Sequence, residues 1–556
     1  MTDALTINTK YLLTALMRSG VRHFVVSPGS RNTPIALLLA QLAESEKIAL
    51  FVDVDERSAA FFALGIAKVT LKPVVVLGTS GTAITEFTSA VAEASISHIP
   101  LIVLSADRPQ ELQNNGAPQT ISQTHLFSHF VKQDLELTLQ DNHPDVPEYI
   151  AYEVQKLIYQ AQIAPRGPIH INLPLRKPLM PDMNDNTPFR VKQLTWTTAP
   201  NIVPKKTLEA LQNKKILLLC GPNESENYSE LLRIFSEKYH IPVIADVLSR
   251  ARYTHTITGI DQFIKADILT DDALPDIVIR FGATPVAGQL LGWLKKHEIT
   301  TWYVGEDAGN DHSRHASHIV PIAVASFLEQ LTQIQNNSTV QSEFYTVWQT
   351  MNQKYQNQLM HNVGELSLID AIDHFTHDAQ PIFVSNSMPI RDMDNFFLGR
   401  HTHNIYANRG ANGIDGVVSS AMGMAATSQE QRSLLLIGDI ALFHDMNGLM
   451  MGKQYQLPLD IIVTNNNGGS IFSFLPQAQQ QEYFDTLFGT PLGLDLSRIA
   501  MLYDLTYEKI STTQGLGDIL RQSVVGTRII EYSSNRQDNY EQHQDFTQML
   551  REHFNE

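Results

Sequence analysis

Gly438-Asp439 ends one apolar run and Asn465-Asn466 ends the next, in RSLLLIGDIALFHDMNGLMMGKQYQLPLDIIVTNNNGGSIF. Leu434 to Ile437 and Ile461 to Val463 read as buried strands, with an amphipathic helix between them. That is a β-α-β unit, and it commits the chain to a parallel sheet. Asp439 and Asn466 then stand at the carboxyl ends of parallel strands, where open α/β sheets place ligands. A carboxylate, an amide oxygen and a Gly-rich turn offering carbonyls suit Mg²⁺, which fills its remaining positions with phosphate oxygens and water. The pattern suggests a site for a metal-bound diphosphate. Read alone, the same residues also serve an ordinary β-α-β unit with polar strand ends.

Alternation continues along the chain, in three blocks. The first has strand candidates at His23–Ser27, Ala49–Val52, Val74–Leu77, Leu101–Leu104 and Ile169–Asn172. The second has Ile216–Leu219, Val243–Ala245, Ile277–Arg280 and Trp302–Val304. Domains are expected at 1–180, 205–340 and 345–556, with a Pro-rich linker at 181–204 and a polar stretch from Gln333 to Glu343. The fold class expected is α/β, with three doubly wound parallel-sheet domains. The first and third blocks look like distant repeats. PVVVLGTSGTAITEF…IPLIVLSADRP matches SLLLIGDIALFHDM…LPLDIIVTNNN in kind, with 22 positions from Gly78 to Pro100 and 20 from Gly438 to Pro458.

Charges of 41 positive and 58 negative give −17, which argues against nonspecific nucleic-acid binding but leaves room for a local basic pocket. Cys220 is the only cysteine, so no intrachain disulfide forms and a reducing cytoplasm fits. Met1 to Ser19 lacks the apolar core of a secretory signal, and no apolar run approaches a membrane span, so no stable membrane insertion is expected.

Glu56 follows a strand and opens a helix from Arg57 to Lys68, near its positive end. A first-turn Glu commonly does no more than stabilise its helix. Ser27-Pro28-Gly29-Ser30-Arg31-Asn32 also joins a strand to a helix. Gly29 and Ser30 permit a tight turn with free N–H groups, Arg31 adds a fork for a carboxylate, and Asn32 reads as a helix cap.

The strings SPGSRNTP, DERSAAFFALGIAK, TSGTA, SADRP, SNSMPIRD, NRGANGIDG and NNNGGSIFSFLP span nearly the whole chain and are weakest through the second block. Together with Gly-Asp-x and Asn-Asn, spaced 466 − 439 = 27 positions, they resemble the thiamine diphosphate-dependent enzymes. Within these they resemble the synthases that join 2-oxoglutarate to isochorismate in menaquinone biosynthesis. The resemblance implies the thiamine diphosphate-binding fold. The first block would be its pyrimidine-binding domain, the third its diphosphate- and Mg-binding domain, and the second a central domain without cofactor contacts. It implies loss of CO₂ from 2-oxoglutarate and 1,4-addition of the succinyl carbanion-enamine to isochorismate. Another thiamine-dependent 2-oxoacid decarboxylase or an acetolactate-synthase-like ligase is the alternative.

Residue roles follow by position. Asp439, Asn466 and the Gly468 carbonyl resemble the ligands of Mg²⁺, with Mn²⁺ as its substitute. Glu56 matches the carboxylate that hydrogen-bonds N1′ of the aminopyrimidine and so favours ylid formation. Pro28, Ser387, Met388, Ile414, Gly438 and Ile471 match further cofactor contacts, Ile414 as the bulky residue enforcing a bent cofactor. Arg31, Arg108, Arg391 and Arg409 match the basic set around the two dicarboxylate substrates, with Ser30 and Gln119; Ser387 belongs with them too. Arg31, Arg391 and Arg409 join Glu56 as catalytic candidates. Phe472 and Leu475, with Ile471, match an apolar wall; core packing is an equal reading for Leu475. A homodimer or dimer of dimers is implied, with the cofactor between the first block of one chain and the third of another.

The chain departs from its resemblance twice. Ile440 stands where many members have a second Gly, and Gly288 lies near the place of a central-domain Lys. Lys295 and Lys296 read as the exposed end of an amphipathic helix. His312, His315 and His318 in DHSRHASH have metal-like spacing but read as solvated loop residues. Gly29-Ser30 lacks the nucleophile-elbow context.

Overall fold

A computed structural model describes residues 3–555 apart from 46, 186–190, 198–200, 226, 308, 334–337, 402 and 429. Parts of the expected linker 181–204 and of the polar stretch Gln333–Glu343 thus lie outside the described residues. The chain forms two compact units. One is Met1–Thr198 with Asn408–Glu430 and His444–Leu459; the other is Ala199–Ala407 with Gln431–Phe443 and Asp460–Glu556.

The first unit holds a parallel sheet of β1 (His23–Val26), β2 (Ala49–Val52), β3 (Val74–Gly78), β4 (Leu101–Asp107), β5 (Asp134–Glu136) and β6 (Ile169–Pro174). Its order is β2-β1-β3-β4-β6-β5. Central strands such as VVVLG and LIVLSAD are buried along their whole length, which is why they read as continuous apolar runs rather than alternating ones. The helix Glu56–Thr70 lies against β1 and β3 and also against the helix Val417–Thr427. The two helices touch backbone to backbone. A Cβ on Gly65 would lie 2.0 Å from the Ser420 carbonyl, and one on Gly423 would lie 2.1 Å from that of Phe62. Hence Ser58 to Lys68 are all buried.

The second unit carries two parallel sheets. One comprises β7 (Ile216–Cys220), β8 (Val243–Ala245), β9 (Ile277–Phe281), β10 (Thr300–Val304) and β11 (Ala316–Val320), in the order β11-β10-β9-β7-β8. The strand order reverses between β7 and β9, where such sheets usually leave a crevice. Here backbone fills it: Gly221 N–H donates to Phe281 O at 2.8 Å and Ala283 N–H to Pro222 O at 2.9 Å. The other sheet comprises β12 (Pro381–Val384), β13 (Asn404–Tyr406), β14 (Ser433–Gly438), β15 (Leu459–Asn465), β16 (Thr506–Ile510) and β17 (Arg528–Ser533), in the order β13-β12-β14-β15-β17-β16. One apolar core spans both sheets, from Leu217 and Val278 to Leu436 and Ile530. Arg252 joins them too. It pairs with Asp394 at 2.8 Å and donates to the carbonyls of Asp394 and Phe397, both at 2.9 Å, closing the end of the helix Met388–Phe396.

Counted from its own first strand, the sheet β12–β17 repeats the order of β1–β6. Gly78 and Gly438 end the third strand of each, as the likeness of the two blocks predicts. DHSRHASH departs from its expected loop: His318 lies in β11 and stacks on Trp302 at 4.3 Å, and His315 Nε2 meets Ile299 O at 2.6 Å. Among the described residues no helix is long and apolar enough to cross a membrane.

Asp445, wholly buried in the first unit, accepts from Ser419 N–H at 2.7 Å and Ser419 Oγ at 3.1 Å. Burial pushes its carboxyl up to about 7. The folded group keeps a proton that the unfolded chain releases near pH 4, so this group's contribution to stability falls as pH rises from about 4 to 7. Asp445→Asn mimics the protonated form. Its stability relative to wild type should therefore rise by up to ~1.4 kcal/mol per pH unit in that window. Urea denaturation at pH 5 and pH 7.5 checks the sign.

Candidate functional site

In the first unit the ends of β1 to β4 converge. Glu56 is the first residue of its helix, but Asp55 does the capping, accepting from Ser58 N–H at 3.0 Å. The Glu56 carboxylate is thus not needed for the cap. It lines a cleft of about 630 Å³ with Thr79, Ser80, Glu86 and Gln119.

The loop after β1 closes onto the same place. A Cβ on Gly29 would lie 2.4 Å from Thr79 Cβ, so only glycine fits. Asn32 occupies the N-cap position yet makes no capping bond; its amide turns back to Gly29 N–H at 3.1 Å and Ser27 O at 2.8 Å. The expected cap is therefore a loop brace. Pro34 helps explain this, because it leaves the helix's first turn short of one N–H. Pro28 and Ser30 are exposed, whereas Arg31 is buried, with Nη1 donating to Leu175 O at 2.6 Å and Nε unpartnered among the described residues. Burial and the neighbouring Arg108 lower the Arg31 pKa. Arg108 Nη1 bonds Ser80 Oγ, its Nη2 reaches Gln119 Oε1 at 3.4 Å, and Gln119 Nε2 donates to Ser80 O at 2.9 Å. So Arg108 and Gln119 bond Ser80, which shares the cleft with Glu56, and Arg31 lies near enough to Arg108 to feel its charge. Ser80 and Thr79 were missed as site residues; their signal was TSGTA at the repeat position of Gly438-Asp439. Arg409 and Ile414 belong to this unit too, half-buried in the loop before the helix Val417–Thr427.

In the second unit, Asp439 opens a helix directly after β14. It is buried, with the N–H groups of Ile440 and Gly468 on its carboxylate, and burial raises it to about 6. Gly468 has φ +143°, and a Cβ there would lie 2.1 Å from Gly489 O, so the turn admits no side chain. Gly438 has open space instead, so no close approach demands glycine there. Asn466 is buried; its Nδ2 donates to Glu365 Oε1 at 3.1 Å while its Oδ1 has no partner among the described residues. An orphaned amide oxygen two residues from the amide held by Asp439 fits a hard cation. Glu365 also accepts from Ser534 Oγ, and burial pushes it up to about 7. Sequence reading missed Glu365. Its signal was a carboxylate at i on an apolar stripe completed by Leu368, Ile369 and Ile372.

Ser387 has φ +73° and starts the helix Met388–Phe396; its carbonyl accepts from Arg391 Nη1 at 2.5 Å. Burial lowers the Arg391 pKa, with Asp392 and Asp261 opposing. Ile471 and Phe472 lie on a 3₁₀ turn, and Phe472 packs on Phe488 at 5.6 Å. Leu475 is 38% exposed, which removes core packing as its explanation.

Comparisons with known proteins match the chain along most of its length. A family model for the N-terminal TPP binding domain of thiamine pyrophosphate enzymes matches residues 8–126, one for their middle domain 175–384, and one for their C-terminal TPP binding domain 393–531. A 2-succinyl-5-enolpyruvyl-6-hydroxy-3-cyclohexene-1-carboxylate synthase of Leuconostoc mesenteroides is 53% identical over 552 residues, 99% of this chain and 100% of the relative. The synthase of Leuconostoc citreum is also 53% identical, over 98% of this chain and 99% of the relative. That of Oceanobacillus iheyensis is 37% identical over 99% and 98%.

Proposed function

We propose a division of labour from one premise: the chain belongs to the 2-succinyl-5-enolpyruvyl-6-hydroxy-3-cyclohexene-1-carboxylate synthases, a branch of the thiamine pyrophosphate enzymes. It is a transferase of menaquinone biosynthesis that takes 2-oxoglutarate and isochorismate, releases CO₂ and joins the succinyl residue to the ring. The observation that carries this is identity of 53% across 99% of the chain.

Asp439, the Asn466 Oδ1 and the Gly468 carbonyl would hold Mg²⁺, or Mn²⁺ in its place, and through it the diphosphate. The orphaned Oδ1 supports this set. When bound, thiamine diphosphate supplies the carbon nucleophile and electron sink that decarboxylation and transfer require. Glu56 holds a proton at N1′ of the aminopyrimidine. Pro28, Ser387, Met388, Ile414, Gly438 and Ile471 contact the cofactor, while Phe472 and Leu475 shield the reacting atoms from water. Residues 1–180, 205–340 and 345–556 serve as pyrimidine-binding, central and diphosphate-binding domains. The assembly is a homodimer or dimer of dimers with its sites at the interface. The cytoplasm, a reducing compartment, suits the single free Cys220.

The arginines Arg31, Arg108, Arg391 and Arg409 hold the substrates' carboxylates, with Ser30 and Gln119. Their planar forks bind a carboxylate through two parallel bonds. Gly288 is exposed, with open space where a side chain would project, and Lys295 and Lys296 are exposed at the end of the helix Leu290–Lys296. Arg31→Ala and Arg108→Ala should therefore lower kcat/KM by about 2–5 kcal/mol, roughly thirty- to several-thousand-fold. Lys295→Ala and Lys296→Ala should leave the KM for isochorismate nearly unchanged; the reverse ranking would overturn the assignment. The reaction itself is tested by CO₂ release from 2-oxoglutarate with and without isochorismate. Release that ignores isochorismate would mark a simple decarboxylase.

A further inference from the structure

Glu93 and Lys68 form a buried ion pair at 3.4 Å in the first unit, on the helices Thr88–Ile96 and Glu56–Thr70, away from the strand-end cleft. Glu93 is 2% exposed and Lys68 0%. The pair does more than join two helices. Glu93 Oε1 accepts from Ser97 Oγ at 2.6 Å and from the Gly410 N–H at 3.0 Å, and Oε2 accepts from the Ala411 N–H at 2.6 Å. A Cβ on Gly410 would lie 2.7 Å from Ser97 Oγ and 3.0 Å from the Glu93 carbonyl, so the loop is pressed against the end of this helix. On the other side of Arg409, Asn408 Nδ2 donates to Ser420 Oγ at 3.0 Å. The backbone of Arg409 is thus fixed from both directions. Burial would raise the Glu93 carboxyl, but Lys68, Ser97 and the two loop amides outweigh it and hold the group below its ordinary value.

We propose that Glu93, kept ionised by Lys68, is a positioning residue that sets the Arg409 loop for substrate. The inference rests on the reading of Arg409 as a substrate-binding residue. A carboxylate is needed because two successive N–H groups point at it. A glutamine in its place could accept only one of them and would turn an N–H₂ donor toward the other. It would also remove the carboxylate that faces the buried Lys68 ammonium at 3.4 Å.

The test is a kinetic cycle on the full-length protein loaded with cofactor. Glu93→Gln is combined with Lys68→Met, so that neither charge is left alone. The fold is checked by thermal unfolding, and the KM for each substrate is measured separately. Arg409→Ala should raise the KM for one of the two dicarboxylates. Glu93→Gln/Lys68→Met should raise the KM for the same one tenfold or more, with kcat less affected. Adding Arg409→Ala to that double variant should cost far less than it does in wild type, because the guanidinium is already misplaced. If the paired substitution does not fold, Glu93→Asp keeps the charge beside Lys68 but withdraws from the loop, and the same KM should rise. If Arg409→Ala alone leaves both KM values unchanged, the reading of Arg409 fails. If Arg409→Ala is damaging while the Glu93 variants keep wild-type KM, or if the effects simply add, the positioning role is overturned.

Discussion

Asp439→Ala should release thiamine diphosphate from the protein and abolish turnover, and exhaustive chelation of the wild type should do the same. Asp439 is buried at the strand end; the N–H groups of Ile440, Gly468 and its own residue bond its carboxylate and Arg536 attracts it, yet burial outweighs them all. Asn466 presents an oxygen that no donor satisfies. Each is a buried acceptor, and a hard cation between them would satisfy both. Removing one partner of a buried charge pair costs on the order of 3–5 kcal/mol, roughly a hundred- to several-thousand-fold in affinity. If the diphosphate is held through the metal, as proposed, that loss appears in cofactor retention. Cofactor remaining after gel filtration measures it, and Mn²⁺ binding followed by its resonance signal measures the metal directly. Asp439→Asn keeps the shape without the charge and should lie nearer the alanine variant than the wild type. Full activity after exhaustive chelation would remove the metal from the reading altogether.

Physical reasons separate what was readable in the sequence from what was not. Strands buried on both faces announce themselves as unbroken apolar runs, so Val74–Gly78 and Ile277–Phe281 begin at the residues expected. Three of the edge strands do not. Asp134–Glu136 and Asn404–Tyr406 are three residues long, and Thr506–Ile510 is half exposed and polar, so neither length nor periodicity marks them. Arg31 and Arg108 sit on loops just after strands and Glu56 opens a helix after another, and motif strings at such junctions are legible because the backbone around them is constrained. Glu365 and Glu93 were invisible for the opposite reason. Each is buried on its helix, and what it satisfies is far away in sequence: Asn466 for one, the amides of Gly410 and Ala411 for the other. Asn32 shows a third limit. Its residue type and place both suit a cap, and only the missing N–H at Pro34 hints that its amide turns elsewhere.

Glu56→Gln should retain cofactor and metal yet lose most turnover. Asp55 caps the helix, so replacing Glu56 leaves the helix start intact, and the change falls on the cleft that Glu56 lines. A carboxyl group there can hold and return a proton at N1′ of the aminopyrimidine, whereas an amide cannot. Proton transfer by a positioned side chain contributes roughly a hundred- to ten-thousand-fold, and a loss of that order is expected in kcat. The loss should appear as slowed exchange of the cofactor's C2 proton, followed by NMR in deuterated buffer, with the dissociation constant for the cofactor little changed. Unaltered exchange would reduce Glu56 to a residue at the end of a helix. The same variant tests the assembly. Glu56 and Asp439 lie in different compact units, and each variant alone is inactive in this reading. In a homodimer whose sites draw on both chains, mixing Glu56→Gln with Asp439→Ala protein creates some sites with both residues intact. Activity should return as subunits exchange, up to about a quarter of the wild-type level when equal amounts mix at random into dimers with two sites. A monomer in solution with full activity would refute the shared site, whatever the fate of Glu56.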